Sequence, residues 1–208
     1  MLSLVIGDKQ LSSWSLRPWL LLRHLNLPFH EIPLALDVPE FAGAIREHSA
    51  AGRVPVLIDG SLRVWDSLAI IEYLHEKSGG RAWPADSGER AHARSISAEM
   101  HSGFSALRQN WPMQAASRGL KVPLPAQAVA DVQRIQEIWR DCRERYGAKG
   151  PWLFGEYSAA DAMYAPVVLR FLSYDAPVSE SSRVYMDQTL SDPHLSEWIS
   201  QARDELSR

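Results

Sequence analysis

The strongest constraint in this sequence is a change of pattern near residue 80. Before it, strand and helix signals alternate; after it, every periodic segment is helical. Leu2 to Ile6 is an apolar run of strand length, and Gly7 to Ser13 is turn-rich. Leu16 to Leu27 carries apolar residues at 16, 19, 20, 22 and 25, close to helical spacing. Pro18 falls in its first turn, where a missing N–H costs little. Phe29 to Leu36 reads as a second strand, which Pro33 places at a sheet edge. Glu40 to His48 fits a short amphipathic helix. Val54 to Ile58 and Leu62 to Val64 flank Asp59-Gly60 as a hairpin. Asp66-Ser67 then offers N-cap chemistry to a helix with apolar positions 68, 70, 71 and 74, stopped by Gly79-Gly80. The order is βαβαββα, an α/β unit over residues 1–80, with a linker near residues 80–88.

Residues 88–208 read as an all-helical unit. Glu89 to Trp111 places Ile96, Met100, Gly103, Leu107 and Trp111 at helical steps, ended by Pro112. That predicts one continuous helix of roughly 35 Å. Pro123 and Pro125 introduce a second long helix with Val129, Val132, Gln136, Trp139 and Cys142 along one stripe. Ala159 to Leu172 is apolar nearly all round and should be the central buried helix of this half, kinked at Pro166. A last amphipathic helix carries Leu195, Trp198, Ile199 and Ala202.

Charge and cysteine content narrow the function classes. The 22 Lys and Arg nearly cancel the 25 Asp and Glu, leaving a net charge of −3 over 208 residues with no long run of like charge. A nucleic-acid tail or a polybasic membrane patch is therefore not expected. No stretch approaches the ~18 apolar residues of a membrane span. The first residues lack the basic start of a signal peptide, so the cytoplasm is the expected compartment. A single cysteine, Cys142, excludes a disulfide framework, a Cys-x-x-Cys pair and a cysteine-based zinc site. The seven histidines form no i,i+4 pair, so no metal site is expected.

Three segments carry possible chemistry. In Arg53-Val54-Pro55, a proline at the mouth of a strand removes a ladder donor. Either Val54–Pro55 is cis and Val54 turns its backbone outward to an extended ligand, or Pro55 is an ordinary edge-strand proline. Asp66-Ser67, at a helix N-terminus, either caps that helix or forms an anion site in which Ser67 holds a carboxylate and Asp66 an ammonium. Ser12-Ser13-Trp14-Ser15-Leu16-Arg17 is a hydroxyl-rich turn. It either caps the next helix or aims a hydroxyl donor at a thiolate, whose unperturbed pKa of ~8.5 would fall.

Together these segments resemble the cytosolic glutathione transferase superfamily over nearly the whole chain. Ser-Ser-Trp-Ser-Leu-Arg at 12–17 is similar to the zeta-class Ser-Ser-Cys-Ser-x-Arg signature, with Trp14 in place of cysteine. Residues 49–55 are similar to the family's Asn-Pro-x-Gly-Lys/Gln-Val-Pro. Residues 66–74 are similar to Glu/Gln-Ser-x-Ala-Ile-x-x-Tyr-Leu with a shortened acid. Ser158-Ala159-Ala160-Asp161 is similar to the capping box of the family's core helix.

The resemblance implies a thioredoxin-like first domain (1–80) that holds glutathione and an all-α second domain (88–208) that walls the acceptor. It implies sulfur activation by Ser12, or by its neighbour Ser13, and glutathione contacts from Arg53, Val54, Pro55, Asp66 and Ser67. Trp14, His101 and Trp111 would line the acceptor pocket, and Arg17 would tie the domains together. It further implies an isologous homodimer built on the 89–111 helix. The expected activity is conjugation of glutathione to a small electrophile. The rivals are a zeta-type maleylacetoacetate isomerase, an ether-cleaving or dehalogenating enzyme, and a non-catalytic binding protein of the same fold. With serines in the active turn and Cys142 on a helix stripe, the reactive sulfur would belong to glutathione rather than to the protein.

Overall fold

A computed structural model describes residues 1–207. Its first half is a four-stranded mixed sheet in the order β2-β1-β3-β4. β1 (Leu2–Gly7) runs parallel to β2 (Phe29–Leu34) and antiparallel to β3 (Val56–Asp59), which pairs with β4 (Leu62–Trp65). β2 is an edge strand, where the missing N–H of Pro33 is tolerated. α1 (Ser13–His24) is the crossover between β1 and β2; α2 (Phe41–Arg46) and α3 (Ser67–Lys77) complete the expected βαβαββα order. The strand alternation divides the burial. Leu4, Ile6 and Leu57 face the main core, while Val5 and Val56 pack with Ile45 of α2 on the other face.

The second half is helical, with two departures from the expected elements. The helix expected over 89–111 is two: α4 (Ser87–Ser102) and α5 (Ser105–Asn110). Between them Gly103 is extended and Phe104 is left-handed, at φ 56°. Leu107 and Trp111 keep helical spacing because α5 resumes within three residues, which hides the break from a periodicity count. α6 (Ala126–Tyr146) buries Ala128, Val132, Ile135, Ile138, Trp139 and Cys142, while Val129 is exposed, so the buried stripe is rotated from the expected one. α7 (Ala159–Ser173) is buried at fourteen of its fifteen residues and is the central helix, as its composition requires. α8 (Glu180–Leu190), which the sequence reading left unassigned, and α9 (Pro193–Leu206) complete the chain. No helix among the described residues is long and apolar enough to cross a membrane.

The two halves share one apolar core. α1 packs between the sheet and α7, so its residues from Ser15 to Leu22 are buried without interruption. The turn that enters α1 is fastened to the helical half. Trp198 Nε1 donates to the Lys9 carbonyl at 2.8 Å. The Gln10 side chain donates to Gln114 at 2.8 Å and accepts from the Ala116 N–H at 2.8 Å. These bonds hold the start of α1 rigidly against the second half.

The start of α7 is held by the expected capping box. The Asp161 carboxylate accepts from the main-chain N–H groups of Ser158 (2.9 Å) and Leu153 (3.1 Å), and from the hydroxyls of Ser158 and Tyr185 (3.2 Å each). Each of these bonds is buried, so removing the carboxylate orphans its donors. Asp161→Ala is expected to cost roughly 3 kcal/mol or more in urea unfolding, given about 1–3 kcal/mol per orphaned buried group. A loss below about 1 kcal/mol would show that the donors find other partners.

Candidate functional site

The cleft between α1, the β3 entry, the head of α3 and the end of α4 encloses a cavity of about 240 Å³. Its walls are Trp14, Arg53, Val54, Pro55, Trp65, Asp66, Ser67 and His101. Seven of these were expected from the sequence. Trp65 was not, although its place directly before Asp66-Ser67 at the end of β4, where it stays half exposed, is the signal that could have found it. The larger cavity, about 610 Å³, lies along the linker against α4 and α7. Several of its charged groups already have partners: Lys149 pairs with Glu89, Arg81 donates to the Ser78 and Leu25 carbonyls, and Asp86 caps α4.

Each wall has a local cause. The Val54–Pro55 bond is cis, the first of the two alternatives the sequence leaves open. Neither the N–H nor the C=O of Val54 bonds to another main-chain group among the described residues, so both are open to an extended partner. Asp66 caps α3, its Oδ1 accepting from the N–H groups of Leu68 (2.8 Å) and Ala69 (3.3 Å). Its φ of 75° is a conformation that a residue with a Cβ seldom adopts. Ser67, buried at the first position of α3, leaves its Oγ with no partner. His101 Nε2 lies 3.1 Å from Asp66 Oδ2, and its Nδ1 has no partner. Burial holds the His101 imidazole below its ordinary pKa, with Asp66 pulling the other way, so the neutral ring donates from Nε2 to the carboxylate.

The serines divide. Ser12 caps α1 and donates its own proton to Ser15 Oγ at 2.7 Å; Ser15 Oγ in turn accepts from the Gly7 N–H at 3.2 Å. Ser13 Oγ accepts from Arg170 Nη2 at 3.2 Å, which leaves the Ser13 proton free to be donated. Both are buried and stand behind the cavity wall rather than on it. Trp111 does not line the cavity, contrary to expectation. Its ring stacks on Tyr174 with centroids 5.1 Å apart, its Nε1 donates to the Val122 carbonyl at 2.8 Å, and it is part of the core. The helix break at Gly103-Phe104 separates α5 from α4, and Trp111 at the end of α5 packs into the core. Cys142 is buried, and burial pushes its thiol up to about 12, so it is not a nucleophile.

Beneath Trp14 lies a group of cations. Arg17, fully buried, sits against the Trp14 ring at 4.2 Å; Arg108 of α5 approaches the same ring at 5.5 Å. Arg170 is held by the Trp111 carbonyl at 2.9 Å and the Pro166 carbonyl at 3.3 Å. Trp14 meets His101 edge-on, with ring centroids 5.3 Å apart.

The backbone of Asp66 offers a test of this architecture. Glycine tolerates its φ and loses only a few tenths of a kcal/mol as an N-cap, whereas alanine keeps the strain and loses the cap. Asp66→Gly is expected within about 1 kcal/mol of the native protein and Asp66→Ala about 1–2 kcal/mol below it. Equal stabilities in urea unfolding would remove the strain from the account.

Comparison with known proteins accords with this geometry. Residues 11–77 match the family model described as glutathione S-transferase, N-terminal domain. The dichloromethane dehalogenase of Methylorubrum extorquens is 34% identical over 58 residues, 27% of this chain and 20% of that protein. A probable maleylacetoacetate isomerase of Caenorhabditis elegans is 33% identical over 96 residues, 46% of this chain and 44% of that protein. The chain thus matches less than half the length of these curated relatives. Among solved structures, a glutathione transferase homologue from Burkholderia GL BGR1 with bound glutathione superposes with a TM-score of 0.74 at 23% identity, over 98% of both chains. A diazinon-metabolizing glutathione S-transferase of the silkworm Bombyx mori gives 0.74 at 18% identity, over 99% of both. At these identities the likeness is one of fold.

Proposed function

We propose that this chain, whose residues 11–77 match the glutathione S-transferase N-terminal domain model and whose fold is shared with solved glutathione transferases, is a glutathione transferase whose cleft binds the tripeptide for transfer to a small electrophile. The observation that carries this reading is the set of open groups on the cleft wall: the unpartnered Ser67 Oγ and the free N–H and C=O of Val54. An orphaned buried hydroxyl costs free energy unless a ligand completes it, and the half-buried main chain of Val54 has its N–H and C=O to offer. An amino acid's carboxylate fits Ser67 at the positive end of α3, and its ammonium fits the Asp66 carboxylate, which keeps lone pairs beyond those used in capping. The extended cysteinyl backbone fits Val54 as an added strand. Arg53, exposed and outside every ion pair among the described residues, lies at the cavity edge for a second carboxylate.

Glutathione, when bound, supplies the nucleophilic sulfur. The protein's part is to hold that sulfur and favour its anion. Of the two serines behind the cavity wall, Ser13 is the one with a proton left to donate, because Arg170 Nη2 donates to its Oγ. The proton of Ser12 is already engaged with Ser15. Trp14, Trp65 and His101 form an aromatic wall for the acceptor.

A second reading is displacement of halide from a carbon or isomerisation of an unsaturated acid. It is supported by the stretches similar to a dichloromethane dehalogenase and to a probable maleylacetoacetate isomerase. A panel of an aryl halide, a dihalomethane and maleylacetone, each with glutathione, separates the readings by product.

Ser67→Ala is expected to weaken glutathione binding about 10- to 100-fold in calorimetry, the loss of one charge-assisted bond of ~1.5–3 kcal/mol. An unchanged Kd would place the carboxylate elsewhere. Ser13→Ala is expected to raise the pKa of the bound thiol, read from thiolate absorbance against pH, while Ser12→Ala leaves it near the native value. The reverse order would return the role to Ser12.

A further inference from the structure

Among the described residues, Arg17 stands out as a fully buried charge whose donors all lack a partner. Its side chain is fully buried, and Nε, Nη1 and Nη2 all lack a hydrogen-bond partner. It enters no ion pair among the described residues, whereas Arg170, equally enclosed, gives its donors to two carbonyls and Ser13. An unpaired buried cation costs several kcal/mol, and an apolar side chain of similar volume would be more stable in its place. Nothing in the packing of α1 requires a charge here. The guanidinium sits over the Trp14 ring, Cζ 4.2 Å from its centroid, a contact that a methionine stem could also make.

The surroundings of Arg17 are cationic. Arg170 of α7 and Arg108 of α5 oppose it, while Asp66 at the head of α3 and the Tyr164 hydroxyl of α7 favour its charge. His101 of α4, neutral and bonded to Asp66, completes the ring of titratable groups. Burial and the two arginines lower Arg17 to about 9, so it remains a cation at neutral pH. Of the two carboxylates near these three cations, Asp131 lies beside Arg108 and accepts from the Leu107 N–H, and Asp66 is already shared between the α3 cap and His101.

We propose that the missing counter-ion of Arg17 is the ionised sulfur of bound glutathione, held as an anion across the Trp14 wall by the field of this guanidinium. The inference rests on the reading of the cleft as a glutathione site. Of the tripeptide's groups, the amino-acid end is met by Ser67 and Asp66 and the cysteinyl backbone by Val54. The sulfur is the anion left to face the opposite wall, which is Trp14. Ionisation releases the S–H proton to solvent water; Arg17, already protonated, accepts nothing. A cation in a water-poor setting lowers a neighbouring acid's pKa by about one unit or more, and the indole keeps water from screening it.

The test uses the full chain and Arg17→Met and Arg17→Lys, with three readouts. Calorimetry with S-methylglutathione measures binding without an ionisable thiol. Thiolate absorbance against pH measures the pKa of bound glutathione. Thermal melting without ligand measures the cost of the buried charge. In Arg17→Met, S-methylglutathione binding is expected within about threefold of native, the thiol pKa higher by about one unit or more, and the melting temperature higher than native. Arg17→Lys is expected to keep most of the acidity. An unchanged thiol pKa in Arg17→Met overturns the proposal, as does a lower melting temperature or failure to fold, which would make Arg17 a structural tie. An unchanged pKa with a raised KM for carboxylate-bearing electrophiles also overturns it and moves the counter-ion to the acceptor. Native protein that binds neither glutathione nor its S-methyl form overturns the glutathione reading itself. Native protein that binds both but leaves the thiol near its free value of ~8.5 overturns the Arg17 proposal alone.

Discussion

Burial of α1 on two sides is the constraint on which the rest of this structure depends. The sheet covers one face of the helix and α7 covers another, so a run from Ser15 to Leu22 has no outlet to solvent. A helix so enclosed cannot rotate or slide without exposing apolar surface, at about 25 cal/mol per Å². Its N-terminus is therefore fixed relative to both halves, and the bonds from Lys9 and Gln10 to α9 and to the loop after α5 lock the approach. The cleft follows from this geometry. Trp14 lines the cleft with the β3 entry and the head of α3 because α1 is held in this placement.

The same enclosure sets the electrostatics. A long charged side chain on an exposed helix keeps its head in water. Arg17 cannot, because both directions from α1 lead into packed structure. The helical half supplies Arg108 and Arg170, and both direct their donors to carbonyl oxygens, which solvate a cation without neutralising it. The positive field behind the cleft thus persists in the absence of any ligand. Such a field opposes folding and favours an anion, and it is positioned by the same contacts that build the core.

Much of this architecture is legible in the sequence because it rests on local signals. The alternation of strands and helices up to Gly80, the edge placement of Pro33, the Asp66 cap and the Ser158–Asp161 capping box all follow from residues near one another in the chain. The illegible parts depend on tertiary contacts. The break at Gly103-Phe104 preserves helical spacing on either side, so periodicity carries no trace of it. Val129 and Trp111 are apolar at plausible positions, and only the rotation of α6 and the turn of α5 decide that one is exposed and the other is core. The choice between Ser12 and Ser13 depends on Arg170, 157 residues from Ser13 along the chain. Arg17 looks like a domain tie in sequence because an arginine in that signature should meet a partner. That it meets none is visible in the fold alone.

Trp14 connects these observations. In the zeta-like signature its position belongs to a small side chain, which would leave space between the cleft and the groups behind α1. The indole closes that space, with one face against Arg17 and its edge region against His101. Had water filled it, the high local dielectric would reduce the reach of a guanidinium to about 1 kcal/mol at contact distances, too little to matter at the far wall of the cleft. With an aromatic slab in its place, the electron-rich face of the ring stabilises the adjacent cation while the low-dielectric medium transmits its field. Trp14 is thus the side chain through which a buried, unpaired arginine acts on the cavity in front of it.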